Sequence, residues 1–315
     1  MDKNREQQLD GLIDACWAHH AWVKGLRCNC NFKHSDPNAP KRTLPDAEFD
    51  RILPENEIPI LWFGDIEAYD ASPRKIVTVG LNPSDREFAK SKSDCDQGKS
   101  SMFRFEDATS LSGWAINHLD DEQRELYKNA LNSYFLPKKS KSKRKDAKRI
   151  ATCYGWFGYW RPVLEGMDAA FETGAKSYTV IHTDFITPVA TTPAWTKFGA
   201  KLPCVHEAIE VKSRELKLWK QLMQILEPDL ILAAVADNMA KEIASDLETS
   251  NEDQPGFSDQ NKKRKWTLAE TNVFGKRSLF VNVPPEGRTP FSFWGHDAKI
   301  KFGETVHSMS AKSGV

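Results

Sequence analysis

The sequence predicts a three-layer α/β/α fold: a four-stranded parallel sheet with helices on both faces, preceded by an N-terminal helical extension. Three observations predict it. Four short runs, residues 76–79, 179–183, 230–235 and 279–283, are rich in Val, Ile and Leu, the composition of strands buried on both faces. Segments with helical spacing of apolar residues separate them, as parallel connections require. The first, second and fourth runs open onto Asn82, Asp184 and Arg288. In an open α/β sheet these exits share one edge, the edge where ligands bind.

In chain order, residues 4–26 place Leu9, Leu12, Ile13, Cys16 and Trp17 at helical spacing and are expected to form an amphipathic helix. Cys28, Cys30 and His34 follow. With Cys16 they offer four metal-ligand side chains, but without the paired Cys-x-x-Cys spacing of zinc sites, and no metal is expected. Residues 31–58, rich in Pro, Asp and Asn, read as loop, and residues 60–64 as a short apolar piece at a sheet edge. The chain is divided accordingly into an extension over residues 1–59 and a domain over residues 60–315.

Gly80 ends the first strand by letting the backbone approach a neighbour closely, and Pro83 stiffens the turn. Ser84-Asp85-Arg86-Glu87 has the capping-box pattern of a helix start. A polar loop then leads to Met102-Phe103-Arg104-Phe105, and helices are expected over residues 111–119, 121–135 and 160–171. The second strand, with His182 read as a strand residue, is followed by a long helix over 205–226 that Glu227-Pro228 terminates. A helix over 236–247 and a polar loop over 249–261 separate the third and fourth strands. The tail beyond His307 is expected to fray.

Composition excludes some classes of protein. No apolar run has transmembrane length, and the charged N-terminus lacks the apolar core of a secretory leader. Six irregularly spaced cysteines read as reduced thiols of an intracellular protein, so a cytoplasmic location is expected, at the nucleoid if the source is prokaryotic. Formal net charge is +0, but its distribution is uneven. Residues 138–149 are almost wholly basic, and residues 262–265 form a second cluster. Either run reads as a solvated loop or as a surface for a polyanion.

Gly80-Leu81-Asn82-Pro83-Ser84 resembles the first motif of the uracil-DNA glycosylase superfamily, in the Gly-x-Asn-Pro form of its mismatch-specific and single-strand-selective branches. Leu226-Glu227-Pro228-Asp229 is similar to the superfamily's lead into its third strand, and residues 281–288 lie where its second motif belongs. The resemblance covers roughly residues 60–305 in order and spacing. It implies an enzyme that flips a nucleotide out of DNA, single- or double-stranded, and hydrolyses its N-glycosidic bond. It also implies candidate roles. Asn82 either positions the attacking water or only organises its turn, and Asp85 either assists the water or favours a helix start. Phe103 or Phe105 would stack on the flipped base, or pack in the core. Arg288 would fill the gap left in the duplex or contact phosphate, and Lys138, Lys139, Lys141, Lys143, Arg144 and Lys145 would lie along the DNA backbone.

Two departures from the motifs bear on the base. The uracil-removing branches carry His or Met before Pro-Ser in the second motif, whereas Val283-Pro284-Pro285 stands here. His296 is the histidine left to enter the pocket from another direction. In the second strand the superfamily often has Asn, and this chain has Asp184. An ionised aspartate only accepts hydrogen bonds, so it suits the amino group of a cytosine-type base and repels the O4 of uracil. Unmodified cytosine is excluded because its removal would destroy the host's own genome. The pattern is similar to the antiphage DNA glycosylases of the superfamily that remove glucosylated hydroxymethylcytosine. A repair glycosylase for uracil or mismatched pyrimidines, and an idle DNA-binding module, are the alternatives. The cysteines do not match the arrangement of the iron–sulfur branches, and no cofactor, membrane contact or obligate protein partner is expected.

Overall fold

A computed structural model of the chain describes residues 1–26, 57–83, 105, 111, 118–136, 156–186, 189–190, 205–246, 250–253, 257–259, 262–264, 266–273, 275–285 and 289–312. In chain order its elements are α1 (Lys3–Leu26), α2 (Ile66–Ala71), β1 (Ile76–Gly80), α3 (Asp121–Asn132), α4 (Trp156–Gly166), β2 (Ala169–Ala170), β3 (Tyr178–Asp184) and α5 (Val205–Leu226). There follow β4 (Leu230–Ala233), α6 (Asp237–Asp246), β5 (Ser250–Asp253), β6 (Phe257–Asp259), β7 (Lys262–Arg264), β8 (Thr267–Val273), β9 (Lys276–Asn282) and α7 (His296–Lys312).

The four expected strands are β1, β3, β4 and β9. They pair in parallel with one another, β1 lying between β3 and β4 and β4 beside β9. All residues of β1 and β4 are buried, as strands covered on both faces must be. The sheet itself is wider than four strands. Its order is β2-β3-β1-β4-β9-β8-β5, seven strands, with β6 and β7 in a separate hairpin. The added members lie at the edges. β8 runs antiparallel to β9 and alternates buried with exposed positions, placing Glu270 and Asn272 in solvent. Such one-sided strands lack the continuous apolar run that marks the four central strands.

Which face each helix covers follows from strand periodicity, because neighbouring residues on a strand point to opposite sides. The His182 ring meets Trp156 and Phe157 of α4, with centroids 4.6 and 5.0 Å away. The next residue, Thr183, accepts a hydrogen bond from Trp219 Nε1–H of α5 at 3.2 Å. Helices α4 and α5 therefore flank the sheet on opposite faces, giving three layers. α7 packs on α4, and α1 packs on α5.

Several local expectations are corrected. The helix expected over 160–171 ends at Gly166, and Ala169–Ala170 adds a short strand beside β3. The loop expected over 249–261 contains β5 and β6. α7 continues to Lys312 instead of fraying beyond His307, because Phe302, Val306 and Ser310 repeat at helical spacing on a buried face. Residues 57–63 are buried, but residues 60–64 form no strand: Phe63 makes a single antiparallel bridge to His182. The extension expected over residues 1–59 is not a separate unit where it is described, since Leu12, Trp17 and Val23 of α1 belong to the common core. Among the described residues no helix is long and apolar enough to cross a membrane.

The packing of α1 against α5 and against the segment at Glu57 buries titratable groups. His19 Nε2 lies 3.4 Å from Glu215 Oε1, and His20 Nε2 lies 3.1 Å from Glu57 Oε1. Burial is the main cause that pushes the His19 pKa down to about 3 and the Glu215 carboxyl well above its usual range. Both shifts favour the uncharged forms, so the His19–Glu215 contact joins neutral partners and is not an ion pair. Cys16 lies fully buried beside Tyr127, with its Sγ 4.0 Å from the phenol oxygen, and burial raises its thiol pKa. It is a core residue.

Candidate active site

The parallel strands carry their pairing past their own ends. Phe185 N–H donates to Gly80 O at 3.0 Å and Ile186 N–H to Leu81 O at 2.8 Å. Ala234 N–H donates to Val79 O at 3.0 Å and Val283 N–H to Ala233 O at 2.9 Å. Four exit segments are thus held side by side at the carboxyl edge. The exit of β9 is tied further by Asn282, whose amide accepts from Val235 N–H and donates to Val235 O, both at 3.2 Å. Asn82 is the first residue beyond the rung that joins Leu81 to Ile186. Its Nδ2 donates to the Pro83 carbonyl at 2.8 Å, so the amide does organise the turn, and it is half-buried there.

Beneath this edge, one face of the β1–β3 pair carries polar groups. The register sets Thr78 opposite His182 and Gly80 opposite Asp184. Paired residues of parallel strands share a face, and so do residues two apart, so all four positions face the α4 side. Thr78, His182 and Asp184 are 0, 2 and 5% exposed. Thr78 Oγ1 lies 3.0 Å from His182 Nδ1, and His182 Nε2 lies 3.5 Å from Asp184 Oδ1. A Cβ on Gly80 would stand 2.4 Å from Asp184 Oδ1 and 3.3 Å from His182 Cε1 and Nε2. Any larger residue here would have to push the carboxylate aside, because the Asp184 carboxylate and the imidazole lie directly over the strand.

Aromatic rings wall the histidine. Trp156, Phe157 and Phe63 surround it, the last with its centroid 5.4 Å away. Tyr134 and Phe135 extend the wall behind Phe63 and Phe157. Phe105 joins it through Tyr134, at 5.5 Å between ring centroids. Phe105 is 1% exposed, and its ring packs in the core.

The structure brings Asp184 to the expected edge beside the turn that holds Asn82. His296 opens α7 and is exposed, with no described contact to either residue. Asp85, Phe103, Arg288 and the basic residues Lys138, Lys139, Lys141, Lys143, Arg144 and Lys145 lie outside the described residues. The second basic cluster falls partly in β7. In the sequence His182 reads as an ordinary strand residue. The signal that could have found it was its two-residue spacing from Asp184, which puts both on one face of a strand.

Among the described residues no group of three or more His, Cys, Asp or Glu side chains is arranged to hold a metal ion. A cavity of about 520 Å³ lies at the opposite, amino edge of the sheet, lined by Arg74, Tyr178, Asp229, Lys276 and His307 among others. Lys276 Nζ is committed there to Asp229 at 2.6 Å, and the strand exits that carry Asn82 and Asp184 are remote from it. Compared with models of known families, with characterised proteins and with solved structures, the chain matches none.

Proposed function

We propose that this protein is a DNA glycosylase that flips a modified, cytosine-derived base into the carboxyl edge of its sheet and hydrolyses the N-glycosidic bond. The observation that carries the reading is the buried Asp184 carboxylate, seated over Gly80 beside the Asn82-Pro83 turn. A carboxylate with little solvent around it is a strong acceptor for an amino group and a poor neighbour for a carbonyl oxygen. Cleavage of the bond builds positive charge on the sugar and negative charge on the leaving base. Catalysis then needs a placed water and a shaped pocket more than a strong base. Asn82 supplies the first requirement. A planar amide whose Nδ2 is anchored on Pro83 has its Oδ1 held in place as well, and an acceptor fixed in advance orients water without reorganisation.

The base is of the kind found in hypermodified bacteriophage DNA, with glucosylated hydroxymethylcytosine the leading candidate and host defence the purpose. The basic residues 138–149 supply phosphate contacts that carry no sequence information. The test is to incubate the protein with DNAs that carry glucosylated hydroxymethylcytosine, other modified cytosines, uracil or a G·T mismatch, and to score alkali-labile abasic sites. Sites only on uracil or mismatched DNA would make it a repair enzyme. The Asn82–Pro83 hydrogen bond favours a second reading, in which the amide serves the turn alone and the protein binds DNA without cutting; tight binding with no abasic sites on any of these DNAs would establish it.

Two substitutions separate base choice from chemistry. Asp184→Asn replaces an acceptor by a mixed donor and acceptor. It is expected to lower base release from amino-bearing substrates by about ten- to a hundredfold, the scale of a buried polar group left unpaired, while uracil release holds or rises. Equal loss on all bases would remove Asp184 from base recognition. Gly80→Ala should lower release from every base, because its methyl group displaces the carboxylate and crowds the imidazole together. Overpacking of this kind costs about 1–3 kcal/mol, so thermal melting should show a folded protein of reduced stability. Unchanged activity in Gly80→Ala would show that the Asp184 position is not used.

A further inference from the structure

We infer that His182 is a positioning residue of this site, whose Nε2–H fixes which oxygen of Asp184 receives the amino group of the base. The inference rests on the functional reading above and names how that reading's specificity is built. It starts from Thr78. The hydroxyl has one proton to give; Ile181 O accepts at 3.4 Å, and His182 Nδ1, at 3.0 Å, accepts if its ring proton sits on Nε2. The nearer is the ring nitrogen. A ring that accepts at Nδ1 carries its proton on Nε2. The other end of the ring selects the same tautomer. Nε2 faces Asp184 Oδ1 at 3.5 Å, and a bare Nε2 lone pair would point at a carboxylate inside a buried site.

The ring has little freedom to turn away. Trp156, Phe157 and Phe63 pack around it, and its backbone is pinned to Phe63 by two hydrogen bonds of 2.8 and 2.9 Å. Thr78 and His182 form one rung of the β1–β3 ladder, and Gly80 and Asp184 form the second rung along. The proton on Nε2 is thereby aimed along the strand at Oδ1, through the space that the missing Cβ of Gly80 leaves open. At 3.5 Å the contact is longer than a formed hydrogen bond, and a small rotation of the carboxylate brings Oδ1 within reach of Nε2–H. Oδ1 is assigned to the imidazole, and Oδ2 to the exocyclic N–H of the base. Without the ring the carboxylate would swing about its terminal torsion and lose its preference for an amino-bearing base.

Two measurements test this. The first needs no substrate. Nitrogen-15 NMR of the histidine rings in the full chain, with His182 assigned by its absence in His182→Gln, should show Nδ1 unprotonated and Nε2 protonated. The isosteric Thr78→Val should weaken that preference. A proton on Nδ1 overturns the inference. The second compares base release from modified-cytosine and uracil DNA. His182→Phe keeps an aromatic ring in the aromatic wall but removes both nitrogens. It should lower release of the amino-bearing base by about tenfold and affect uracil less, and it should add little to the loss already caused by Asp184→Asn. His182→Gln, whose amide N–H reaches the place of Nε2–H, should recover most of the activity. If His182→Phe lowers all bases alike, or multiplies its full effect onto Asp184→Asn, the histidine is a packing residue and the inference fails. If wild-type protein releases no base from any DNA, the glycosylase reading fails instead, and the NMR result still decides whether the ring is set as described.

Discussion

Asn82→Ala is expected to slow base release by a factor of about a hundred or more while DNA affinity stays near that of the wild type. The factor corresponds to about 2.7 kcal/mol of barrier. That is larger than the direct structural cost of the substitution. The hydrogen bond from Asn82 Nδ2 to Pro83 O, at 2.8 Å, is of a kind that contributes about 1 kcal/mol to stability. Melting temperature and rate therefore separate the two roles of the amide. A small fall in melting temperature with a large fall in single-turnover rate marks a group that serves the reaction. A matched, small loss in both marks a turn residue only. Full activity in Asn82→Ala would place the water elsewhere, with Asp85 the next residue to test.

The largest stability effect is expected far from the site, at the crossing of α4 and α7. A Cβ on Gly303 would stand 2.0 Å from Val163 O and 3.2 Å from Gly166 Cα. A Cβ on Gly166 would stand 2.1 Å from Ile300 O and 3.0 Å from Glu304 N. These are backbone atoms, so no rotamer change relieves the clash. The helices must part by about 1 Å or more to restore ordinary carbon–oxygen contact. Phe302 would then lose its fit against Phe291 and Trp294, whose ring centroids lie 5.8 and 5.3 Å from it. Gly303→Ala should cost about 3 kcal/mol, the upper part of the overpacking range, even though alanine favours helix. In a chain of this size that lowers the melting temperature by about 4–5 °C. Gly11→Ala is the control, since Gly11 sits exposed on α1 and a Cβ there meets nothing within 4 Å. It should leave stability equal or slightly raised. If Gly303→Ala behaves like Gly11→Ala, the two helix backbones are not in contact.

Much of the framework is legible along the chain because its signals are local. A run such as Ile76-Val77-Thr78-Val79, ended by Gly80, identifies a buried strand without reference to any other part of the molecule. The long helix over Val205–Leu226 announces its end by Glu227-Pro228, where Glu227 adopts a left-handed φ of 45° before the proline. The signals fail where one face meets water. β8 carries Glu270 and Asn272 on its exposed side and gives no strand signal, and β5 is polar throughout and reads as part of the loop over 249–261. The end of α7 is hidden for the same reason: Phe302, Val306 and Ser310 are buried, while Glu304, Thr305, His307 and Ser308 stand in the turns between them.

The sequence by itself determined four parallel strands, the direction in which they run and the edge at which Asn82 and Asp184 emerge. Each of these follows from short apolar runs and the breakers that end them, which act over a few residues. Only the tertiary structure decided what lies beside Asp184. The register of β1 against β3 sets Thr78 opposite His182, 104 residues away in the chain, and sets Gly80 opposite Asp184. A slip of one residue would turn every one of these side chains to the other face. That register is fixed by the packing of both sheet faces together, with α4 on one side and α5 on the other. No single segment encodes it, because the energy that selects it comes from contacts between elements that are distant in the chain.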